Sequence, residues 1–417
     1  MGKKRKLQTY VIFILIIILI VATFFFYYGH VKKKKTALKT RLDYFNSMVQ
    51  SEQKWLANLQ LSNGALAFRG KENGTVSIVP YFSSITAIAL LQKAPELEYE
   101  DVVTDYFDWH FAHLNGVASD IYGVPGTIYN YSAEVLNGIV QWEKTEQKYD
   151  STDSYAALFL IALWEYYEQT GNAAYLMEHY WHITDVIGAM NATFDKDGLS
   201  YAKPNYRVKY LMDNAEVYKG ISCAINLFEQ VFLPRYDEGT MEKNDVKQTI
   251  AHLQEKKDGQ EQAFRTILWN EVEQRYEIGI NNSGVALDFS GWSEFYPDAV
   301  AQLFPILFGV LDPDSERARK LYQTFGEYFD WEDMAHYEKG DADFYWGLTA
   351  YAGALMRDEK KVYTYLDYYM DKVIPNYEYP AYNADVAWVV LASAEIARFY
   401  QEQMQKIDPL GIVTVTR

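Results

Sequence analysis

Six segments of the chain gather acidic and aromatic side chains immediately ahead of an apolar run. Tyr149-Asp150-Ser151-Thr152-Asp153-Ser154-Tyr155 leads without a break into the wholly apolar stretch 156–164. Asp213-Asn214-Ala215-Glu216-Val217-Tyr218 and Trp292-Ser293-Glu294-Phe295-Tyr296-Pro297-Asp298 do the same, as do Val79-Pro80-Tyr81-Phe82-Ser83-Ser84, Asp341-Ala342-Asp343-Phe344-Tyr345-Trp346 and Tyr382-Asn383-Ala384-Asp385. Paired carboxyl groups among flat rings are the equipment for breaking a glycosidic bond. One carboxyl, protonated, donates to the leaving oxygen, and the other, ionised, activates water or attacks carbon. Like charges crowded beside rings raise the proton affinity of one of them, which keeps an acid protonated at neutral pH. The catalytic candidates are Asp153, Glu216, Asp213 and Glu294. Asp150 and Asp385 are candidate sugar contacts, and Tyr81, Tyr155, Tyr218, Trp292, Tyr296, Tyr345, Trp346 and Tyr382 are candidate stacking platforms. Each has an ordinary alternative: Ser151, Asp153, Asn214, Ser293 and Asn383 are also good helix caps, and single rings often serve only to pack helices.

Residues so far apart in the chain can share one cleft only if helices deliver them there. Segments 38–59, 99–114, 173–190, 244–269, 315–328 and 359–373 place charged residues at helical spacing, as amphipathic covering helices do. Segments 84–92, 154–165, 217–232, 298–310, 344–356 and 384–399 are apolar on nearly every side, which requires burial all round. Outer and inner helices in strict alternation, with little strand pattern beyond a short piece at 276–280, predict an all-α (α/α)6 barrel of six hairpins. Its inner helices run parallel, so their amino-terminal ends meet on one face. That face collects the six segments together with unpaired N–H groups and positive dipole ends, which tolerate ionised Asp and Glu.

Composition narrows the setting. The one cysteine, Cys223, sits in an apolar run and excludes an intramolecular disulfide or a thiolate metal cluster, so packing must hold the fold. His179 and His182 have no third ligand at a recognisable spacing, and no phosphate-binding glycine loop or nucleophile elbow occurs; neither a metal nor a cofactor is expected. Residues 10–28 form an uncharged apolar run flanked by Lys3-Lys4-Arg5-Lys6 and Lys32 to Lys35, long enough to cross a bilayer. Phe24-Phe25-Phe26-Tyr27-Tyr28 stands where a cleavage site would lie, which favours an uncleaved anchor with the short tail inside and the body exported. The expected division is a tail, anchor and basic flank at 1–35 and a barrel domain at 36–417.

The first 35 residues carry eight basic and no acidic side chains, so the net charge of −17 becomes −25 over the remainder. Such a body repels nucleic acid and stands off an anionic membrane surface. Lys32 to Lys35 are either a lipid headgroup contact or a simple stop to the membrane helix. Lys203, Arg207 and Lys209 form a basic group that would meet uronate or phosphate on a substrate, or simply be a solvated loop.

Residues 149–157 resemble the Ser/Thr-Asp-Ala-Asp segment that opens an inner helix in family 8 glycoside hydrolases, and equivalent segments across the six-hairpin glycosidases. The resemblance implies an (α/α)6 toroid over roughly residues 40 to 405, acting on a polysaccharide, with Asp153 holding the sugar ring or the attacking water. Family 8 enzymes also resemble one another in a Ser-Glu-Gly segment that supplies the acid. Here that stretch reads Leu61-Ser62-Asn63-Gly64-Ala65-Leu66-Ala67, with no Glu, so the acid must come from elsewhere: Glu216 first, Glu294 second. The leading expectation is a membrane-anchored, outward-facing hydrolase of a cell-surface or secreted polysaccharide. A polysaccharide lyase is the first alternative, although the helix entrances are poor in Arg and His. A non-catalytic carbohydrate-binding scaffold serving polysaccharide synthesis or export machinery is the second, kept open by the missing Glu.

Overall fold

The computed structural model describes residues 2–70, 72–334, 344, 346–374, 376–378 and 380–407. Helix α1 (Gly2–Ala57) is a single unbroken helix of 56 residues. It contains no proline, so nothing interrupts its hydrogen-bond ladder. Its first half is exposed from Leu7 to Tyr28, whereas Phe45, Val49 and Leu56 in its second half are buried. The same helix is therefore an apolar rod at one end and a one-sided covering helix at the other.

The remaining helices alternate as the hydropathy pattern requires. The inner set is α2 (Pro80–Leu90), α4 (Asp153–Thr170), α7 (Leu211–Leu227), α9 (Phe304–Leu307), α11 (Leu348–Leu355) and α13 (Asn383–Gln405). Each packs on the next, and α13 packs back on α2, so the inner ring closes. Outside it lie the second half of α1, α3 (Glu100–Ala112), α5 (Ala173–Glu178) with α6 (Tyr180–Asn191), α8 (Met241–Thr266), α10 (Glu316–Tyr328) and α12 (Glu359–Lys372). The (α/α)6 arrangement follows from burial: residues 153–164 of α4 are buried on every side, while α10 buries only Ala318, Leu321 and Phe325. Cys223 is a core residue, 1 % exposed.

Three details differ from the sequence expectation. The segment 298–310 is not one helix; a π-turn at Phe295–Ala299 is followed by a break and then the four-residue α9. Pro305 supplies no N–H, so it can open a helix but cannot continue one. The segment 173–190 divides into α5 and α6 at His179. A three-stranded antiparallel sheet, β1 (Gly74–Ile78), β2 (Tyr131–Leu136) and β3 (Ile139–Thr145), rises on the face where the inner helices begin. Its β2–β3 turn is Asn137-Gly138, both with positive φ (52° and 74°), the signature of a tight hairpin turn.

Candidate active site

A cavity of about 840 Å³ opens where the inner helices start. Every inner helix contributes from its first turns: Tyr81 and Phe82 from α2, Ser154 and Tyr155 from α4, Met212 and Asp213 from α7, Phe304 from α9, Leu348 from α11, and Trp388 from α13. Loops complete the wall with Asn130, Asp150, Tyr296, Trp346 and Tyr382. Unpaired N–H groups at the converging helix starts make this the favourable end for negative charge.

The carboxylates are brought together by a close helix crossing. Gly220 of α7 faces Ala157 of α4 so tightly that a Cβ at residue 220 would lie 2.7 Å from the Ala157 Cβ. One turn toward the cavity from these two residues stand Glu216 and Asp153. Near-contact of the two backbones thus forces two carboxyl groups into one buried layer, at 1 % and 0 % exposure. Each has a dedicated partner. Tyr81 donates its hydroxyl to Glu216 Oε1 at 2.5 Å, and Ser200 donates to Asp153 Oδ2 at 2.6 Å. Ser200 is fixed in turn by its N–H to Asn214 Oδ1 at 2.9 Å, and Gln260 donates to the Asn214 carbonyl at 3.0 Å.

Burial dominates the acid–base character of this layer. Loss of water lifts Glu216 to about 8, against the hydrogen bond from Tyr81 and with the charges of Asp153 and Asp150 adding to the rise. Burial likewise lifts Asp153 to about 7, against its hydrogen bond from Ser200. Asp213 is held well above the usual carboxylate range by desolvation, then by the neighbouring charges of Asp153, Glu216 and Asp150. These groups titrate as one cluster that retains protons at neutral pH. Desolvation and the charges of Asp150, Asp213 and Glu216 also raise Tyr296, which lines the same cavity.

The structure therefore brings most of the sequence candidates to one place in two tiers. Asp150, Asp213, Tyr81, Tyr155, Tyr296, Trp346 and Tyr382 line the cavity, with Asp150 exposed at its rim. Asp153 and Glu216 lie immediately behind the wall. Asp385 is buried and accepts from the Gly347 N–H at 2.6 Å, an anchor for the start of α11. Three candidates point elsewhere. Tyr218 lies one helical face away from Glu216 and donates outward to Glu261 of α8 at 2.9 Å. Trp292 stacks near Tyr328 of the outer helix α10, and Glu294 is exposed ahead of the π-turn, outside the cavity lining. Both precede the π-turn and its non-helical kink at Tyr296, the residue with which this segment first reaches the cavity. Tyr345, with Asp341 and Asp343, lies outside the described residues.

Of the basic group, Lys209 is buried and paired with Asp195 at 2.8 Å and Asp197 at 2.5 Å, and Arg207 covers the Tyr201 ring. Only Lys203 reaches the cavity, where Lys148 joins it. Lys148, Asn130 and Trp388 were not among the sequence candidates. Trp388 had a legible signal, since it follows the Tyr382-Asn383 helix start by little more than a turn. Asn130, which receives the Tyr155 hydroxyl at 3.1 Å, sits in a loop whose place no local pattern reveals.

Comparison with known proteins gives the fold an identity. No family model matches the sequence, and no curated protein matches it either. Solved structures do. A glycosidase determined as a glutamate-to-alanine variant aligns over 85% of this chain and 98% of its own, with 13% identity and a TM-score of 0.53. Another glutamate-to-alanine glycosidase, in complex with glucose, aligns over 87% and 98% with 14% identity and a TM-score of 0.51. An alpha-amylase from Clostridium perfringens aligns over 84% and 98% with 9% identity and a TM-score of 0.50. At such identities the likeness establishes architecture alone: this chain has the helical-hairpin fold found in these glycosidases, with a long apolar helix running into its first hairpin.

Proposed function

We propose that the protein is a glycoside hydrolase, with Asp213 as proton donor to the leaving oxygen and Asp150 as the ionised partner. The observation that carries this reading is the contrast between two carboxyl groups on one cavity wall. Asp213 is desolvated and pushed toward its protonated form, whereas Asp150 stands at the exposed rim, open to solvent. A desolvated carboxyl and a solvent-facing one on the same wall are the pair that glycosidic hydrolysis requires, one to donate a proton and one to activate water or attack carbon. Asp153 and Glu216 act from behind, keeping negative charge and protons close to Asp213. Tyr155, Tyr296, Trp346 and Tyr382 supply the rings against which sugar faces stack.

In the same reading residues 1–35 are a tail, anchor and basic flank, the domain from 36 onward is exported, and the substrate is a polysaccharide. The apolar, exposed first half of α1 and the glycosidase folds of the structural neighbours support it. The test is release of reducing ends from a panel of surface and secreted glycans by the purified chain. Unsaturated uronate products would instead mark a lyase, and binding without turnover on every glycan would mark a scaffold.

A further inference from the structure

The cavity and the apolar end of α1 lie at opposite ends of the toroid. Near its membrane-proximal part, Phe45 stacks on Tyr400 at 6.0 Å between ring centres, and Arg41 donates to the Tyr400 hydroxyl at 2.9 Å. Tyr400 belongs to the last turns of α13, far from the cavity. Beyond the carboxyl end of α1, Phe68 accepts the Asn383 N–H at 3.0 Å, and Asn383 is the first residue of α13, at the cavity. α1 and α13 are thus antiparallel, and the chain climbs α1 from the far face to the cavity face. A second hollow of about 560 Å³ marks that far face, lined by later residues of the inner helices such as Glu165, Leu355 and Gln401.

α1 continues from the apolar run into the toroid with no break, and its first buried side chain after that run is Val31, 8 % exposed. From Val31 to Ala57 an α-helix rises roughly 40 Å. Resting on the anchored reading above, we infer that the bilayer lies on the side of the far face and that the cavity opens away from it, on the order of 40 Å out. The substrate is then a stretch of glycan standing clear of the membrane, not a sugar headgroup seated in the lipid surface. The strongly acidic body adds to the stand-off, because it is repelled by anionic lipid while Lys32 to Lys34 remain exposed beside the apolar run. This orientation holds on whichever side of the membrane the domain resides.

Two surface labels decide the orientation. The native Cys223 is buried, so a cysteine introduced at Asn205, exposed near Lys203 and the cavity mouth, or at Gln405, exposed at the end of α13, is the reactive thiol. The full chain carrying one fluorophore is placed in phosphatidylcholine and phosphatidylglycerol vesicles containing headgroup-labelled acceptor lipid. The expected result is strong energy transfer from Gln405→Cys and several-fold weaker transfer from Asn205→Cys. Equal transfer from the two sites, or stronger transfer from residue 205, overturns the orientation. With the vesicle-bound protein, a soluble glycan should be cleaved at least about tenfold faster than the same oligosaccharide attached directly to a lipid. Equal rates overturn the substrate assignment, whereas no cleavage of either overturns the proposed hydrolase while the fluorescence result still establishes the orientation.

Discussion

Tyr81 of α2 and Glu216 of α7, 135 residues apart in sequence, are joined by a 2.5 Å hydrogen bond in which the phenol donates to the carboxylate. The bond joins two inner helices and links a wall ring to an acid that does not itself line the cavity. It also opposes the effect of burial on Glu216. Tyr81→Phe removes the donor without emptying the space. We predict that Glu216 then holds its proton to higher pH and that kcat/KM falls about tenfold or more, with its upper pH limb displaced upward. Carboxyl titration by carbon NMR, alongside a pH–rate profile, checks this. An unmoved Glu216 titration would show that the bond has no electrostatic role.

Stability should fall as pH rises from about 4 to 8. Asp153 and Glu216 have folded-state values near 7 and 8, above those of an unfolded carboxyl, so between these limits the folded chain binds more protons than the unfolded one. Each proton so held contributes a slope on the order of 1 kcal/mol per pH unit. Denaturant titrations at pH 4.5, 6 and 8 should show the decline, and Asp153→Asn should flatten it. A stability that rises steadily through this window would contradict the burial of these acids.

Gly220→Ala is expected to destabilise the protein by about 1–3 kcal/mol, because its Cβ would intrude on Ala157 at a backbone-to-backbone crossing. Since this crossing sets the separation of Asp153 from Glu216, activity should fall further than the stability loss alone explains under conditions where the variant is folded. A midpoint shift in urea with activity unchanged would separate the crossing from the site.

The helical plan was legible because burial writes a distinctive pattern: residues 156–164 have no polar face to show, and such a helix can only be an inner one. The acid-bearing helix starts were legible for the same reason, since Asp153, Asp213 and Glu216 break sharply into apolar runs. What escaped was decided by contacts between distant parts of the chain. That Tyr218 turns toward Glu261 while Glu216, two residues earlier, turns inward depends on where α8 lies. Trp292 and Glu294 precede both the π-turn and its non-helical kink at Tyr296, so the apolar run that follows them says nothing of where they point. The hairpin at Asn137-Gly138 carried its own turn signature between short alternating strands. Its neighbours in the barrel gave no reason to look for a sheet.

The most direct measurement is the rate of glycan hydrolysis by Asp213→Asn and Asp150→Asn, with Glu294→Gln as a folded control from outside the cavity. Removal of a general acid typically costs about 10²–10⁴-fold, so both cavity variants should lose at least about 100-fold in kcat/KM while the control retains nearly full activity. Retention of wild-type rates by Asp213→Asn, or a comparable loss in Glu294→Gln, would contradict the assignment of the chemistry to this cavity.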